Sequence, residues 1–403
     1  MKLFLSNPAV LCAAGSNQSE FFDSLVTGNQ SGIKTVVFGK TEDGEDKKFF
    51  VGKIDDAKLK KTNDKFDMRL IQILDAALEQ IKPTVEKAIA RFGSERIAVC
   101  IGSCDNGSEL SLASHRDFFE KGSFPENYEI EAQGADYPAT YCSKKFGITG
   151  LSLAFSTACS SSASAIANAK EVIQCGMADA VICGGVDVAS PTVLLGFDSL
   201  GAVSSEITNP MSKNRHGITL GEGAAFFVLS KEDLDGTETE LFGTGESSDA
   251  SHMTAPLADG SGAAAAMKSA LKDAEIEPEQ IDYINLHATG TKLNDSMEAK
   301  AVNEIFAGLN TASSGTKPMT GHTLGAAGAL ELAACFLAIK NQKLPVHLND
   351  GVQDEELPEL NLVRTCDTNR KIQICMSNSF AFGGCNVSLV IGKRCENEKG
   401  KSE

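Results

Sequence analysis

Three short stretches and a glycine-rich loop hold the residue types that could do covalent chemistry. Cys159 stands in LSLAFSTACSSSASAIANAK, between an apolar run that reads as a strand and a small-residue run that reads as a helix. A helix start offers unpaired backbone N–H groups and a partial positive charge. A thiol there is expected to ionise more readily and to act as a nucleophile. The alternative is a small buried hydrophobe, the usual fate of a free cysteine. His287 follows an apolar strand in INLHATGTKLND. Lys317 and His322 share TKPMTGHTLGAAGALELA, which runs into an Ala-rich helix carrying Glu331. Phe380 and Phe382 precede a glycine pair in SNSFAFGGCN. A single histidine at a strand end is more often structural than catalytic. Here two of only six histidines lie in Gly/Thr-rich turns at strand–helix boundaries, as Cys159 does, and such turns are where α/β proteins build sites. Lys317 lies close enough to a helix start for its charge to serve an anionic site. A Cys–His pair would also suit a papain-like protease, but the residues around Cys159 lack that setting.

To bring these residues together, strands must end at one place. Helices alternate with apolar strands along the chain, which argues for α/β layers with mixed sheets. A helix around Ser19 to Leu25 is expected behind a cap at Ser16 or Asn17, then an exposed loop from Thr41 to Lys48. Apolar spacing predicts a helix from Met68 to Ala90 that Pro83 ends or kinks. A strand at Ile97 to Gly102 and helices at Glu109 to Glu120 and Tyr137 to Phe146 lead into the strand–turn–helix–strand unit from Leu151 to Asp187. A strand at Ala224 to Leu229 precedes a polar break, which places a boundary between an N-terminal half (1–235) carrying Cys159 and a C-terminal half (236–403) carrying both histidines and Lys317. The second half reads as strand Glu240 to Gly245, helix Gly262 to Ala274, strand Ile281 to Leu286, helices Asp295 to Phe306 and Ala326 to Lys340, strands Lys371 to Met376 and Asn386 to Ile391, and a frayed polar tail from Lys393. Each half has a small-residue turn opening a long helix, at Cys159 and at Gly325, which suggests an internal duplication.

Composition narrows the function classes. The chain of 403 residues carries a formal charge of −17, which argues against nonspecific nucleic-acid binding. No apolar run reaches the roughly 18 residues of a membrane span, and the N-terminus, with one lysine and a short apolar run broken by Ser6, Asn7 and Pro8, is expected to form a first strand and turn rather than a signal peptide. Its twelve cysteines are dispersed, with no C-x-x-C pair and no zinc spacing, so reduced thiols in a cytoplasmic protein are expected, with no metal site. Lys60, Lys61, Lys65 and Arg69 lie in a basic run interleaved with aspartates, ordinarily a solvated face.

With STACSSS, KNRHGITLGEGAA, HATGTKLND, KPMTGHTLGAAGALE and SNSFAFGGCN in order, the whole chain resembles the β-ketoacyl-[acyl-carrier-protein] synthases of the elongating, Cys-His-His type. The resemblance implies a thiolase-like fold, two similar halves in five layers (α-β-α-β-α), associated as a homodimer. It implies fatty-acid chain elongation by decarboxylative condensation of malonyl-carrier with an acyl chain held on Cys159. His287 and His322 then match the pair that assists decarboxylation and stabilises the enolate. Lys317 matches a lysine supporting the His322 site, and Glu331 a structural glutamate beside it. The N–H groups of Cys159 and Phe382 match an oxyanion hole, Phe380 and Phe382 a gating loop, and Thr289, Thr291 and Thr254 the holders of a pantetheine arm. No metal or organic cofactor is implied, since the phosphopantetheine belongs to the acyl carrier protein. That carrier is acidic, which makes Lys60, Lys61, Lys65 and Arg69 the expected docking patch. Initiating synthases carry asparagine where His322 stands, chain-length-factor partners lack the cysteine, and thiolases carry a second cysteine near Asn378 to Phe380. Two departures from the family pattern, Ala288 in the usual HGT triplet and His216 where aspartate is common, fit a divergent branch serving aryl polyene or polyketide chains. A noncatalytic carrier-binding partner subunit is the alternative from a different class.

Overall fold

The computed structural model describes residues 1–394 other than 42, 106, 127, 368 and 369. Beyond Arg394 the expected frayed tail lies outside those residues. The chain opens with strands β1 (Phe4–Leu5) and β2 (Ala9–Cys12) and helix α1 (Gln18–Thr27). Asn17 caps α1 by accepting the Glu20 N–H at 3.0 Å, which leaves one orphan donor fewer at the helix start. Strands β3 (Ile33–Lys40) and β4 (Asp46–Gly52) form an antiparallel hairpin. The stretch expected as a loop to Lys48 therefore becomes strand at Asp46. Its continuation, Phe49 and Val51, turns into an apolar cluster with Ile218 and Leu220.

Helix α2 (Arg69–Phe92) continues through Pro83, so the expected end at that residue does not occur. Pro83 is exposed, whereas Leu78, Ile81, Val85 and Ala88 line the buried face on either side of it. Leu78, Ile81 and Val85 each contribute roughly 1.5–3 kcal/mol on burial, enough together to offset the roughly 3 kcal/mol of a mid-helix proline. The first half then runs through β5 (Ile97–Gly102), α3 (Ser108–Lys121), α4 (Tyr137–Phe146), β6 (Ser152–Phe155), α5 (Ser161–Gln174), β7 (Ala180–Asp187), α6 (Pro191–Ser199), β8 (Leu220–Gly221) and β9 (Gly223–Ser230). The second consists of β10 (Glu240–Ser248), α7 (Ser261–Ala274), β11 (Tyr283–Asn285), α8 (Lys292–Phe306), β12 (Ala312–Ser314), α9 (Lys317–Thr320), α10 (Ala327–Asn341), β13 (Ile374–Phe380) and β14 (Cys385–Gly392).

Strand order shows the duplication that sequence similarity between the halves does not. Numbering β2, β5, β6, β7 and β9 from first to fifth, the sheet runs third, second, fourth, fifth, first. Strands β10 to β14 follow the same order. In both units the third, second and fourth strands are parallel and the remaining pairings antiparallel. Strand β1 pairs with both β9 and β10 and joins the two units. Helices α2 and α4 cover the outer face of the first unit, α7 covers that of the second with α8 packed against it, and α5 and α10 lie between the units. This is the five-layer α-β-α-β-α arrangement of the thiolase-like fold.

The two central helices approach closely. A Cβ added at Gly328 would lie 2.8 Å from the Ala163 Cβ, and Ala329 N–H donates to Ser162 Oγ at 3.0 Å. The stretch Leu324–Asn341 has the length and mean hydropathy (1.3 over 18 residues) of a membrane span, yet 89% of it is buried inside the protein. It is the core helix of the middle layer.

Candidate active site

Cys159 occupies a single 3-10 turn, Ala158–Ser160, between β6 and α5. Ala158 adopts φ 51°, and Leu324 adopts φ 51° at the equivalent turn before α10. Backbone strain of this kind costs on the order of 1–3 kcal/mol and survives only where neighbours hold it. The run of serines does so. Ser160 Oγ donates to Thr157 O at 2.9 Å, Ser161 Oγ donates to Ala158 O at 2.6 Å, and Thr157 N–H donates to Ser161 Oγ at 3.0 Å. Asp187, at the end of β7, ties the Leu324 turn to the loop after β5, whose Cys104 donates its Sγ–H to Ala158 O at 3.0 Å. Its carboxylate accepts the N–H groups of Cys104, Asp105 and Gly325 at 2.9, 2.9 and 2.7 Å. Burial pushes that carboxyl up to about 7 against those bonds.

Three reactive groups from three turns converge. The Sγ of Cys159 lies 3.1 Å from His322 Nε2. The His287 and His322 rings face each other edge-on with centroids 5.3 Å apart. The ligand atoms of Cys159, His287 and His322 all fall within 4.8 Å of one another. The backbone N–H groups of Phe382 and of Cys159 itself are directed at the thiol.

Both imidazoles are held in one tautomer. Leu324 N–H donates to His322 Nδ1 at 3.3 Å, and Lys317 Nζ stands 3.3 Å from His287 Nδ1. A nitrogen that receives a donor cannot carry the ring proton, so each ring presents Nε2–H toward Cys159. A metal ion at this cluster would need the protons moved onto Nδ1, against an N–H and an ammonium. The donor set is therefore arranged to give hydrogen bonds rather than to ligate. Burial, reinforced by Lys317, holds both imidazoles well below their ordinary pKa and neutral. His287 Nε2 has no partner although it is buried, and it points at the cavity that a substrate would enter.

The surrounding groups correct several expectations. Burial pushes the Cys159 thiol up to about 11, with Lys317 and the two N–H groups pulling against it. The expected easy ionisation at the helix start is thus outweighed by desolvation, and the resting group is a thiol. Lys317 supports His287 rather than His322: its Nζ donates to the His287 carbonyl and pairs with Glu331 in addition to the Nδ1 contact. Both charged side chains are nearly inaccessible, and Glu331 Oε2 has no partner. Burial raises the Glu331 carboxyl and the ammonium pulls it back. The Ala288 methyl does not enter the site. It faces Gly315, where an added Cβ would come within 2.4 Å of it.

Reading the sequence missed one carboxylate close to the chemistry. Glu298 on α8 accepts the His287 and Ala288 N–H groups at 2.7 Å each and holds the turn in which Ala288 adopts φ 40°. The available signal was an acidic residue on the buried side of a helix that begins within the histidine motif. Phe197 on α6 is a second omission. It stacks on Phe382 with centroids 5.8 Å apart.

A cavity of about 410 Å³ leads outward from Cys159, His287 and His322. Thr289, Thr291, Thr254, Phe380 and Phe382 line it, together with Phe197, His216, Lys292 and Asn294. The Thr289 and Thr291 hydroxyls lie 3.0 Å apart. Lys317 and Glu331 stand behind His287, outside the lining.

None of Lys60, Lys61, Lys65 and Arg69 lines this cavity, and two of them are committed elsewhere. Lys65 pairs with Glu129 and Glu131. Arg69 donates Nε and Nη2 to the Glu222 carboxylate at 2.7 and 2.6 Å and Nη1 to Asp56 at 2.6 Å. Glu222 is buried, so Arg69 acts as its counter-ion. Arg69→Ala is expected to lower stability by about 2 kcal/mol, less than a fully buried pair because Arg69 is partly exposed. Thermal unfolding should show a lowered midpoint with no rise in the Michaelis constant for a carrier-borne substrate. A raised constant at an unchanged midpoint would return Arg69 to the docking surface.

Fold and site together define a thiolase-fold condensing enzyme. Residues 9–234 match the β-ketoacyl synthase N-terminal domain and residues 239–350 its C-terminal domain. The chain belongs to the β-ketoacyl synthase family. It is 35% identical over 311 residues to 3-oxoacyl-[acyl-carrier-protein] synthase 2 of Vibrio cholerae, covering 73% of this chain and 75% of that one. It is 31% identical over 402 residues to the Synechocystis protein of the same name, covering 94% and 95%. Among solved structures, the ketosynthase ApeO in complex with its chain length factor ApeC from Xenorhabdus doucetiae superposes with a TM-score of 0.88, at 39% identity and 98% coverage of both chains.

Proposed function

We propose that the protein is an elongating 3-oxoacyl-[acyl-carrier-protein] synthase. The observation that carries this is one cavity end where a thiol meets two neutral imidazoles, both fixed to present Nε2–H. In the first half-reaction the Cys159 sulfur attacks an acyl-carrier thioester. The acyl–sulfur bond to the carrier breaks, the Cys159 thioester forms, and the thiol proton leaves with the carrier's sulfur. In the second, malonyl-carrier enters with its thioester oxygen between the two Nε2–H groups. Loss of CO₂ leaves an enolate whose charge those donors stabilise, each such donor being worth about 10²–10³ in rate. The enolate carbon attacks the Cys159 thioester, whose oxygen is held by the N–H groups of Cys159 and Phe382. Collapse expels the cysteine sulfur as a thiolate, which takes a proton from solvent, and a 3-oxoacyl-carrier two carbons longer departs. The scheme calls for no metal or organic cofactor from the protein.

Helix α3 buries none of its residues, and Phe119 and Ile130 beside it are 83% and 76% exposed. An apolar face of this kind is expected to be covered, and a second ketosynthase-fold subunit, a homodimer in the simplest case, suits it. The likeness to ApeO supports a second reading of the pathway, in which the chain serves aryl polyene or polyketide synthesis beside a related partner. Retention of Cys159, His287 and His322 counts against a noncatalytic subunit. The acidic carrier then docks through residues other than Arg69 and Lys65, with Lys60 and Lys61 exposed and open to it. The eleven cysteines among the described residues are free thiols, in keeping with a cytoplasmic enzyme. Incubation with an acyl-carrier and malonyl-carrier should yield CO₂ and the 3-oxoacyl-carrier by mass spectrometry. Failure to extend any acyl chain while Cys159 is acylated would overturn the reading.

A further inference from the structure

The cavity has an electrostatic character unlike the rest of the chain. The protein carries 54 acidic against 37 basic residues, yet no carboxylate is found among the described residues that line the cavity, and Lys292 is its one ammonium. Lys292 is exposed, and no ion pair to it is found among the described residues. Its inner neighbours offer uncharged hydrogen-bonding groups: Thr289, Thr291, Thr254 and Asn294. His216, also in the lining, adds no negative charge. Its Nδ1 faces Asn214 O at 3.0 Å and its Nε2 faces the Ser204 and Ser205 hydroxyls at 3.1 Å each.

A ligand matched to this gradient has a reactive thioester at the inner end, an uncharged amide-bearing arm, and one anionic group at the outer end. An acidic chain repels such an anion over most of its surface, so a lone cation in a carboxylate-free lining selects for it. We propose that Lys292 is a specificity-determining residue that binds the phosphate of the phosphopantetheine arm. This rests on the carrier-thioester reading of the site. A lysine recognises phosphate as a point charge on a flexible stem, which suits an arm that must slide in and out. Lys292 is also the first residue of α8, so the element that carries the phosphate contact begins immediately after the Thr289–Thr291 turn.

Calorimetric titration of the full chain with 4′-phosphopantetheine and with pantetheine tests this without requiring turnover. The wild-type protein should bind the phosphorylated arm about fivefold more tightly, the scale of one solvent-screened charge pair. Lys292→Gln should remove that preference and Lys292→Arg should keep it. Apo-carrier protein, which lacks the arm, should bind wild type and Lys292→Gln alike. Equal wild-type binding of the two arms, binding of neither, or a preference that survives Lys292→Gln would overturn the assignment. So would loss of apo-carrier binding in Lys292→Gln, which would give the lysine to the carrier's acidic surface instead. Absence of condensation in a protein that still discriminates the two arms would count against the functional reading alone.

Discussion

Replacing Cys159 with alanine is expected to abolish condensation, by on the order of 10⁴-fold or more, while leaving malonyl-carrier decarboxylation measurable. The two activities depend on different atoms. Condensation needs the sulfur, because the acyl chain must be held as a thioester while the carbon nucleophile is made. Decarboxylation needs the two Nε2–H groups, and their orientation depends on Leu324 N–H and Lys317, neither of which passes through Cys159. The truncation removes one sulfur atom from a tight turn whose serine hydrogen bonds remain, so the fold should tolerate it at a cost within about 1–2 kcal/mol. Parallel assays of CO₂ release and product formation would show the split. Loss of both together in a protein with unchanged unfolding would mean that the sulfur itself takes part in decarboxylation.

Removing the charge at Lys317 should have the next largest effect, with a signature that separates chemistry from stability. In Lys317→Met, His287 loses the donor on Nδ1, its proton is free to move there, and Nε2 becomes an acceptor facing the enolate oxygen. Loss of one such donor is worth about 10²–10³ in decarboxylation rate. Glu331 at the same time loses the counter-ion for a carboxylate whose second oxygen is already unpartnered. Breaking a buried pair in this way costs about 3–5 kcal/mol. Adding Glu331→Gln should recover much of the stability, because no isolated charge remains, but none of the decarboxylation rate. Recovery of both by the double variant would make Lys317 a purely structural residue.

Much of this architecture is written in local patterns. The strand–turn–helix character around Cys159 needs only the apolar run before it and the small residues after it, and helix α4 spans Tyr137–Phe146, the bounds expected ahead of the turn at Gly147. His287 and His322 stand out because each sits in a Gly/Thr-rich turn ahead of a helix. What escapes local reading depends on partners distant in the chain. Arg69 reads as a surface charge until Glu222, 153 residues away, occupies it. Lys317 and His322 are neighbours in sequence, yet Lys317 serves His287, 30 residues earlier. The Cys159 thiol is governed by its depth rather than by the helix behind it, and depth belongs to the whole fold. Pro83 shows the converse, where tertiary burial of one helix face overrides a local breaker. The duplication lay between these cases. The paired turns at Cys159 and Gly325 hint at it, and the identical strand order in the two units establishes it.

The most direct test of the central claim is the mass of the Cys159 peptide followed through a single turnover. The protein is first charged with an acyl-carrier and freed of it, and malonyl-carrier is then added. The expected result is an acyl adduct on Cys159 that disappears as the two-carbon-longer 3-oxoacyl-carrier appears, one product per adduct consumed. An adduct on another residue, or product formed while Cys159 keeps its acyl group, would contradict it.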